Sequence, residues 1–214
     1  MRTLDHLGLA GADLANLRRA PAYRAGLVIV AGHRRSGRRT TAQAIVNELD
    51  TGAARTAILC ATGPAPPVGA AAPAQSVQPY PDAGAAAQLR TALAQDPDII
   101  LVDSLPGPRS ARLAVQGAVQ GRLVVCRLYA GRAHDLPLVF GQLGVAPAVL
   151  ASCLQFILVQ RLLPALCPAC ARPDNSLELR STLVRAANSW RSTPVRGRSP
   201  GAPGCQACRA TGYQ

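Results

Sequence analysis

The chain has 214 residues and a net charge of +12, which arises from 23 arginines, no lysine and 11 acidic residues. This length suffices for one sizeable α/β domain plus a small appendage. The first 20 residues lack the apolar segment of a secretion signal, and polar residues and prolines interrupt the most apolar helix candidate. We therefore expect a cytoplasmic protein without a membrane span. The charge permits anionic partners, although arginine without lysine is also typical of a genome-wide compositional bias.

The predicted elements alternate between strand and helix. Residues 4–20 predict one short helix, and a strand at Leu27–Ala31 leads through a glycine-bounded loop into a helix at Thr40–Leu49. A second strand is expected at Thr56–Ala61. It is followed by a surface loop over 63–87, where Ala, Pro and Gly dominate.

The alternation continues through the second half of the chain. We expect, in order, a helix at 88–95, a buried strand ending in Asp103, a helix at 109–119, a strand at Leu123–Leu128, and helices at 133–143 and 147–163. Strands that alternate with helices predict a parallel, doubly wound α/β sheet. The composition changes to Pro, Ser and Arg from Cys167 onward, so we divide the chain into a domain at 1–166 and a second unit at 167–214.

The loop after the first strand, GHRRSGRRTT, has the layout of a phosphate-binding loop, G-x-x-x-x-G-K-[ST]. Gly32 and Gly37 take the glycine places, but Arg38 stands in the lysine place and Arg39 in the Ser/Thr place. A working loop uses the lysine to reach the phosphates and the hydroxyl to hold Mg²⁺, and arginine is bulkier and forked. The frame predicts a nucleotide-binding fold, and the replaced residues predict impaired chemistry.

The arginines of this loop still favour an anion. Arg34, Arg35, Arg38 and Arg39 flank the N-terminus of a helix, whose free N–H groups attract phosphate. Phosphate binding without Mg²⁺ is one hypothesis, and a solvated basic loop is the alternative. An arginine-rich nucleic-acid-binding module is a third interpretation. It is disfavoured because the chain has few aromatic residues for stacking and no recognition-helix pattern.

Carboxylates are scarce near the predicted loop. Asp103 ends an apolar strand, from which a carboxylate can hold Mg²⁺ through water. Capping of the following turn is the alternative role for Asp103. The two glutamates, Glu48 and Glu178, lie on the helix after the loop and between the cysteine pairs, so neither is expected beside a phosphate.

Four of the seven cysteines form two C-x-x-C pairs, Cys167 with Cys170 and Cys205 with Cys208. Two such pairs supply four thiolates for a tetrahedral structural zinc site. Redox-active or incidental thiols are the alternative. The segment between the pairs predicts a helix at 177–190. The remaining cysteines lie in apolar runs and are expected to be buried: Cys60, Cys126 and Cys153.

Long stretches of the chain follow the order of a known family. They are LDHLGLAGADLANLRR, LRTALAQDPDIILVDS, ARLAVQGAVQGRLVVCRLYA, QLGVAPAVLASCLQFILVQRLLPALCPAC and GCQACRATGY. Together they resemble the C-terminal ATPase domain of the type II secretion and type IV pilus ATPases. The resemblance implies a RecA-like P-loop NTPase fold at 1–166 and a tetracysteine zinc unit at 167–214. It also implies that the chain is truncated at both ends relative to the family.

The resemblance assigns roles to matching positions. Gly32, Ser36, Gly37, Thr40 and Thr41 match the family loop G-P-T-G-S-G-K-[ST]-T-T, whereas Arg38 and Arg39 replace its lysine and its Mg²⁺-binding hydroxyl. The candidate nucleotide- or phosphate-binding residues are Gly32, Ser36, Gly37, Arg38, Arg39 and Thr40 of the loop, together with Asp103. The implied zinc ligands are Cys167, Cys170, Cys205 and Cys208. ATP is the implied ligand, whereas the altered loop argues against Mg²⁺. The implied partners are homologous ATPase subunits in a ring or inner-membrane platform proteins, at a cytoplasmic position peripheral to the inner membrane.

The family's catalytic positions are altered in this chain. The acidic stretch I-E-D-P-V-E corresponds to ATGPAP, the stretch V-G-E-I-R-D to VDSLPG, and the histidine box T-G-H-L-V-L-S-T-L-H to QGRLVVCRLY. The residues that replace carboxylates, an arginine and histidines are Thr62, Gly63, Ser104, Pro106, Arg122 and Tyr129. Hydrolysis needs a carboxylate to activate water and cations to stabilise the spreading charge. We therefore expect a pseudo-ATPase, and the alternatives are a slow ATPase that uses Arg38 and Asp103, or a decayed fragment.

Overall fold

The computed structural model describes residues 3–9, 11–18, 24–49, 57–60, 82–163, 167, 169–170 and 205–209. The chain divides into two compact units, Met1–Arg161 and Leu162–Gln214. Several sequence predictions lie outside the described residues. These are the helix at 177–190, most of the loop at 63–87, and the positions Thr62, Gly63 and Glu178.

The first unit contains a parallel five-stranded sheet in its described part, as the alternation of elements predicted. The strands are β1 Gly26–Ala31, β2 Ala57–Cys60, β3 Ile99–Val102, β4 Leu123–Leu128 and β5 Leu154–Val159. They lie in the order β2-β3-β4-β1-β5, and every neighbouring pair is parallel. The carboxyl ends of these strands therefore meet at one edge of the sheet.

Helices connect the strands. They are α1 Gly11–Leu17, α2 Arg38–Leu49, α3 Asp82–Ala94, α4 Pro108–Val119, α5 Leu136–Gln142 and α6 Pro147–Cys153. Short 3₁₀ turns cover Leu4–Leu7, Ala133–Asp135 and Gln206–Cys208. Within the described ranges, none of the helices combines the length and hydropathy needed to cross a bilayer.

Both faces of the sheet are covered, as is usual for parallel strands. Along β1, Leu27, Ile29 and Ala31 join a core shared with α4, α5 and α6. Val28 and Val30 point to the other face and join a core shared with α2 and the N-terminal helical turns. Because every residue of β1 is buried, the loop that follows it starts from a rigid position.

The predicted helix at 147–163 is wrong beyond Cys153. The helix α6 ends there, and Leu154–Val159 forms β5, which pairs with β1 from Leu27 to Ala31. The segment LQFILV is a short apolar run, and such runs are ambiguous between a strand and a buried helix when judged by periodicity alone. The backbone of β1 supplies hydrogen-bond partners along this edge, which favours the strand.

Other element boundaries differ by smaller amounts. The predicted helix at 4–20 is interrupted after its first turn by Gly8, whose φ of 69° is left-handed. The predicted helix at 133–143 begins as a 3₁₀ turn and becomes α-helical only at Leu136. The helix α3 starts at Asp82 instead of residue 88, inside the segment predicted as a loop. Its alanine-rich sequence favours a helix, and the adjacent Pro- and Gly-rich composition concealed that signal.

Asp82, the first residue of α3, caps the neighbouring helix α4. Its carboxylate accepts hydrogen bonds from the backbone N–H groups of Arg109 (3.2 Å) and Ser110 (3.1 Å) and from the Ser110 hydroxyl (2.8 Å). Burial raises the pKa of Asp82, but these hydrogen bonds and the charge of Arg109 outweigh burial and hold the pKa below its ordinary value. This contact fixes the start of α4, just after the loop that follows β3.

Replacing Asp82 with alanine should lower the free energy of unfolding by about 1 kcal/mol, the usual cost of a lost helix cap. Because folding lowers the pKa of Asp82, its ionised form stabilises the fold above the ordinary carboxyl pKa of about 4. That stabilisation is lost as the pH falls through the lower folded pKa. Urea unfolding of the wild type and Asp82→Asn from about pH 7 to about pH 3 measures the effect. A difference between them that does not shrink towards low pH would contradict this role.

Candidate functional site

The loop from β1 to α2 is a tightly packed turn at the carboxyl edge of the sheet. Gly32 has a φ of 152°, and a Cβ there would lie 2.3 Å from the carbonyl oxygen of Gln160 and 2.5 Å from Ser36 Oγ. The Gln160 side chain donates a hydrogen bond to the Ser36 carbonyl at 2.7 Å, which ties the loop to the end of β5. Gly37 is also left-handed, with a φ of 83°. Both glycine places of the predicted motif are therefore required by the backbone.

The loop ends at the N-terminus of α2. The backbone N–H of Thr41 donates to the Gly37 carbonyl at 3.1 Å, so the helical bonds begin here. The N–H groups before Thr41 have no partner within the helix, which makes this end attractive to an anion. Ser36 is buried, and its hydroxyl has no hydrogen-bond partner in the part of the chain that the structure describes. The predicted residues Gly32, Ser36, Gly37 and Thr40 thus share one loop–helix junction.

Arg38, in the lysine place of the motif, is turned towards β4. Its guanidinium donates a hydrogen bond to the Leu128 carbonyl and lies 5.9 Å from the centre of the Tyr129 ring. Burial lowers the pKa of Arg38, and the electrostatic interactions of its guanidinium with Tyr129 and Asp103 oppose that effect. His33 Nδ1 lies 3.1 Å from the Tyr129 hydroxyl, and this contact helps to hold the Tyr129 ring in position beside Arg38. The Arg38 side chain is therefore held in place by contacts within the protein and is not an extended, flexible cation.

Asp103, at the end of β3, is brought together with Arg39, another of the candidate phosphate-binding residues. The Arg39 guanidinium lies 3.3 Å from its Oδ2, and Arg127 forms an ion pair with its Oδ1. The Asp103 side chain is only 7% exposed, and the Arg127 side chain is 16% exposed. Burial lowers the pKa of Arg127, an effect that the negative charge of Asp103 opposes. One carboxylate is thus shared by two guanidinium groups.

Asp103 and Arg127 border a cleft of about 330 Å³. It is lined by Arg38, Asp103, Ser104, Leu105, Arg127, Leu128 and Tyr129. The sequence patterns predict Arg38 and Asp103 as binding candidates but indicate neither Arg127 nor the tethering role of Gln160. The available signal for Arg127 was a single charge in the otherwise apolar strand LVVCRL. A charge in a buried strand usually requires a partner, which Asp103 supplies here.

The other residues at altered family positions are distributed differently. Ser104, in the place of the glutamate, lines the cleft. Arg122 precedes β4 and pairs with Asp96 at 2.7 Å, so it lies at the sheet edge opposite Tyr129. Glu48 lies in the last turn of α2, roughly 15 Å along the helix from the phosphate-loop end. Its carboxylate forms an ion pair with Arg18 at 3.9 Å. Glu48 is therefore not placed to act in the cleft.

The four paired cysteines converge in the second unit. Their sulfur atoms all lie within 4.8 Å of one another. The distances from Cys167 to Cys205, from Cys170 to Cys208, and from Cys205 to Cys208 are each 3.8 Å. A tetrahedral site with Zn–S bonds of about 2.3 Å requires sulfur separations of about 3.8 Å. The cysteine cluster therefore matches the geometry of a closed metal site.

The backbone of each cysteine pair forms a similar turn. The N–H of Cys170 donates to the Cys167 carbonyl at 3.3 Å, and the N–H of Cys208 donates to the Cys205 carbonyl at 3.2 Å. Cys60, Cys126 and Cys153 are buried in the first unit, as predicted, and all seven cysteines are free thiols. The four clustered cysteines therefore belong to the second unit and the other three thiols to the first.

Comparison with known proteins identifies the kinship of the chain. A family model described as Type II/IV secretion system protein matches residues 1–214. The chain is 29% identical over 213 residues to the putative type II secretion system protein E of Escherichia coli K12, covering 99% of this chain and 42% of that protein. It is 33% identical over 180 residues to the type IV pilus assembly ATPase PilB of Myxococcus xanthus, covering 82% of this chain and 31% of that protein.

The structural comparison agrees with the sequence comparison. The crystal structure of the pilus retraction motor PilT with bound ADP matches with a TM-score of 0.63 and 25% identity, over 77% of this chain and 49% of that chain. This chain spans less than half the length of the curated relatives described above. The family match, in contrast, extends over the whole of this sequence, so the resemblance inferred from the sequence is confirmed. The chain belongs to the Type II/IV secretion system protein family.

Proposed function

We propose that this chain is a catalytically degenerate secretion or pilus ATPase that binds a phosphate-bearing ligand without hydrolysing it. The supporting observation is the ion pairing of Asp103 with both Arg39 and Arg127. Its role is that of a scaffold or regulator rather than a motor. Relatives named as type II secretion proteins and pilus ATPases support secretion or pilus assembly as the setting.

The chemistry of the cleft argues against hydrolysis. ATP hydrolysis needs an oriented water, a group that accepts its proton, and cations around the transferred phosphate. Among the residues that line the cleft, Asp103 is the one carboxylate, and guanidinium groups contact both of its oxygens. Because guanidinium groups hold both of its oxygens, this carboxylate is poorly placed to orient a water molecule and take its proton. Ser104, in the glutamate place, is not a base at neutral pH.

We propose that the cysteine cluster holds one structural zinc ion. The sulfur separations match those of a tetrahedral site, and four thiolates leave no open position for a substrate. Zinc supplies no chemistry to the cleft under this proposal. Its role is to hold together Cys167, Cys170, Cys205 and Cys208 in the second unit.

We infer that the partners are homologous ATPase subunits, in a mixed ring, or platform proteins at the inner membrane. Family membership and the names of the relatives, which refer to a secretion system and to pilus assembly, support these partners. The position that follows is cytoplasmic and peripheral to that membrane. Co-purification with an active homologue from the same cell is the direct test.

ATP turnover by the purified chain should be at assay background. A positioned general base alone contributes about 10²–10⁴-fold to such a reaction, and none of the described residues that line the cleft is placed to act as one. Phosphate release in the presence of Mg²⁺ measures turnover, and calorimetric titration with ADP measures binding independently. The proposal predicts ADP binding without turnover.

Arg38→Ala is the matched control for turnover, because Arg38 stands in the lysine place yet its main contacts are one carbonyl and one ring. Turnover that disappears in a folded Arg38→Ala protein would contradict the proposal and identify a slow ATPase. Turnover that is unchanged in this variant would come from a contaminating enzyme. Circular dichroism establishes that the variant is folded.

A further inference from the structure

The Asp103 carboxylate lies between two positive groups. Arg127 contacts its Oδ1, and Nη2 of Arg39 lies 3.3 Å from its Oδ2. The side chains of Asp103 and Arg127 are 7% and 16% exposed, so water screens their attraction only weakly. Arg39 is the more accessible partner, with 44% of its side chain exposed. The cluster thus has an inner and an outer guanidinium.

A divalent cation does not fit this cluster. Mg²⁺ demands near-octahedral oxygen ligands at about 2.0–2.1 Å. In a phosphate-binding loop it takes one of them from a Ser/Thr hydroxyl, at the place that Arg39 occupies here. The carboxylate oxygens that would face the ion are contacted by guanidinium groups, which would repel it. The residues present therefore do not form a magnesium site.

The cleft remains cationic without a metal. Arg38 and Arg127 line it, Arg39 reaches Asp103 from the first turn of α2, and Asp103 is the one lining carboxylate. Guanidinium groups present planar forks of N–H donors that match phosphate oxygens, and they remain charged at any physiological pH. Three positive charges around one negative charge leave a net attraction for an anion.

We propose that Arg39 and Arg127 take the place of the divalent cation at Asp103, so that the cleft binds a di- or triphosphate group directly and without metal. The proposal rests on the proposed function, whose phosphate-bearing ligand it specifies. A nucleotide and an inorganic polyphosphate share this chemistry. ADP and tripolyphosphate are therefore the two probes, and a preference for ADP would identify the nucleotide as the source.

Metal binding is tested first: Mn²⁺ alone is added to the full chain, and electron paramagnetic resonance measures how much of it is bound. The wild type should show no Mn²⁺ binding that depends on Asp103, so its spectrum and that of Asp103→Asn should be the same. Arg39→Ser introduces a hydroxyl at the loop position and removes the outer guanidinium, so it should gain an Asp103-dependent Mn²⁺ site. A wild-type Mn²⁺ site that disappears in Asp103→Asn would overturn the proposal.

Anion binding is tested by calorimetry with tripolyphosphate and with ADP, in metal-free buffer and with added Mg²⁺. Wild-type affinities should be unchanged by Mg²⁺. Arg39→Ser should bind tripolyphosphate about tenfold or more weakly without metal, as expected for a lost charge-assisted contact, and added Mg²⁺ should restore part of that loss. Arg90→Ser removes an equal charge from an exposed site on α3 and should bind like the wild type.

The outcomes separate this proposal from the proposed function. Wild-type binding that tightens tenfold or more with Mg²⁺, with turnover still at background, would overturn the metal-free site and leave the proposed function standing. No binding of either probe would overturn both proposals. Metal-independent binding together with genuine ATP turnover would instead overturn the pseudo-ATPase assignment and leave the arginine replacement standing. Equal weakening in Arg39→Ser and Arg90→Ser would mean that only net charge attracts the anion, which also contradicts the proposal.

Discussion

Cys205→Ser protein should contain no bound zinc and should have a C-terminal unit that is rapidly cleaved by protease. Zinc binding to structural tetracysteine sites contributes on the order of 10 kcal/mol, and that free energy becomes folding free energy. The four sulfur atoms lie within 4.8 Å of one another, so loss of one ligand opens the whole cluster. Elemental analysis should give one zinc ion per wild-type chain. Limited proteolysis should show that the first unit, Met1–Arg161, survives the substitution.

Cys153→Ala is the matched control because it removes a cysteine that is buried in the first unit. This variant should retain its zinc and its protease-resistant C-terminal unit. Chelation of the wild type should reproduce the effect of Cys205→Ser. Wild-type protein that contains no zinc and keeps the same protease resistance after chelation would contradict the assignment.

Thiol titration provides an independent measure of the same site. Burial raises the pKa of both Cys60 and Cys126 to about 12, and it also raises the pKa of Cys153. Because the thiolate is the reactive form, these three cysteines should react slowly in the native protein. The cysteine cluster should become reactive only when a chelator is added. Immediate reaction of its four thiols without chelator would argue against a bound metal.

Asp103→Ala should lower the free energy of unfolding by about 3–5 kcal/mol, because it leaves a buried charge without its partner. That charge belongs to Arg127, whose side chain is only 16% exposed. Arg39→Ala should cost no more than about 1 kcal/mol, since Arg39 is 44% exposed and its ion pair is screened by water. Urea unfolding of the three proteins under one set of conditions measures both differences.

The double variant Asp103→Ala with Arg127→Met separates the buried charge from other effects of the aspartate. It removes the unpaired guanidinium and fills the space with an apolar side chain, so much of the lost stability should return. If the double variant is as unstable as Asp103→Ala alone, the aspartate stabilises the fold through a contact other than Arg127. If Asp103→Ala costs less than about 1 kcal/mol, the ion pair between Asp103 and Arg127 is solvated, which contradicts its burial.

The loop and the cysteine cluster were accessible from the sequence because local spacing encodes them. A glycine at each end of GHRRSG, after the apolar strand LVIVA, predicts a turn at the start of a helix, and both glycines have left-handed φ values. Two C-x-x-C pairs predict two turns that each present two sulfur atoms, which the described turns do. The position of Asp103 at the end of an apolar strand was encoded in the same local way.

Long-range contacts could not be derived from these local patterns. The run LQFILV became β5 because β1 offered an open edge, and no feature of the run itself excludes a helix. Asp82 caps α4 across a large separation in sequence, so its role depends on how α3 and α4 pack. Likewise, the sequence shows Arg127 only as an isolated charge, and its partner Asp103 is evident only from the pairing of β4 with β3.

The sequence by itself determined the family, the parallel alternation of elements, the altered phosphate loop and the convergence of four cysteines. These depend on residue type and short spacing, which bond geometry translates directly into turns, strands and helix ends. Tertiary structure alone decided that Arg39 and Arg127 both reach Asp103 and that Arg38 turns towards Leu128. Those contacts join three different strand ends. They arise because parallel strands bring their carboxyl ends to one edge, where charges distant in sequence must neutralise one another in a poorly solvated place.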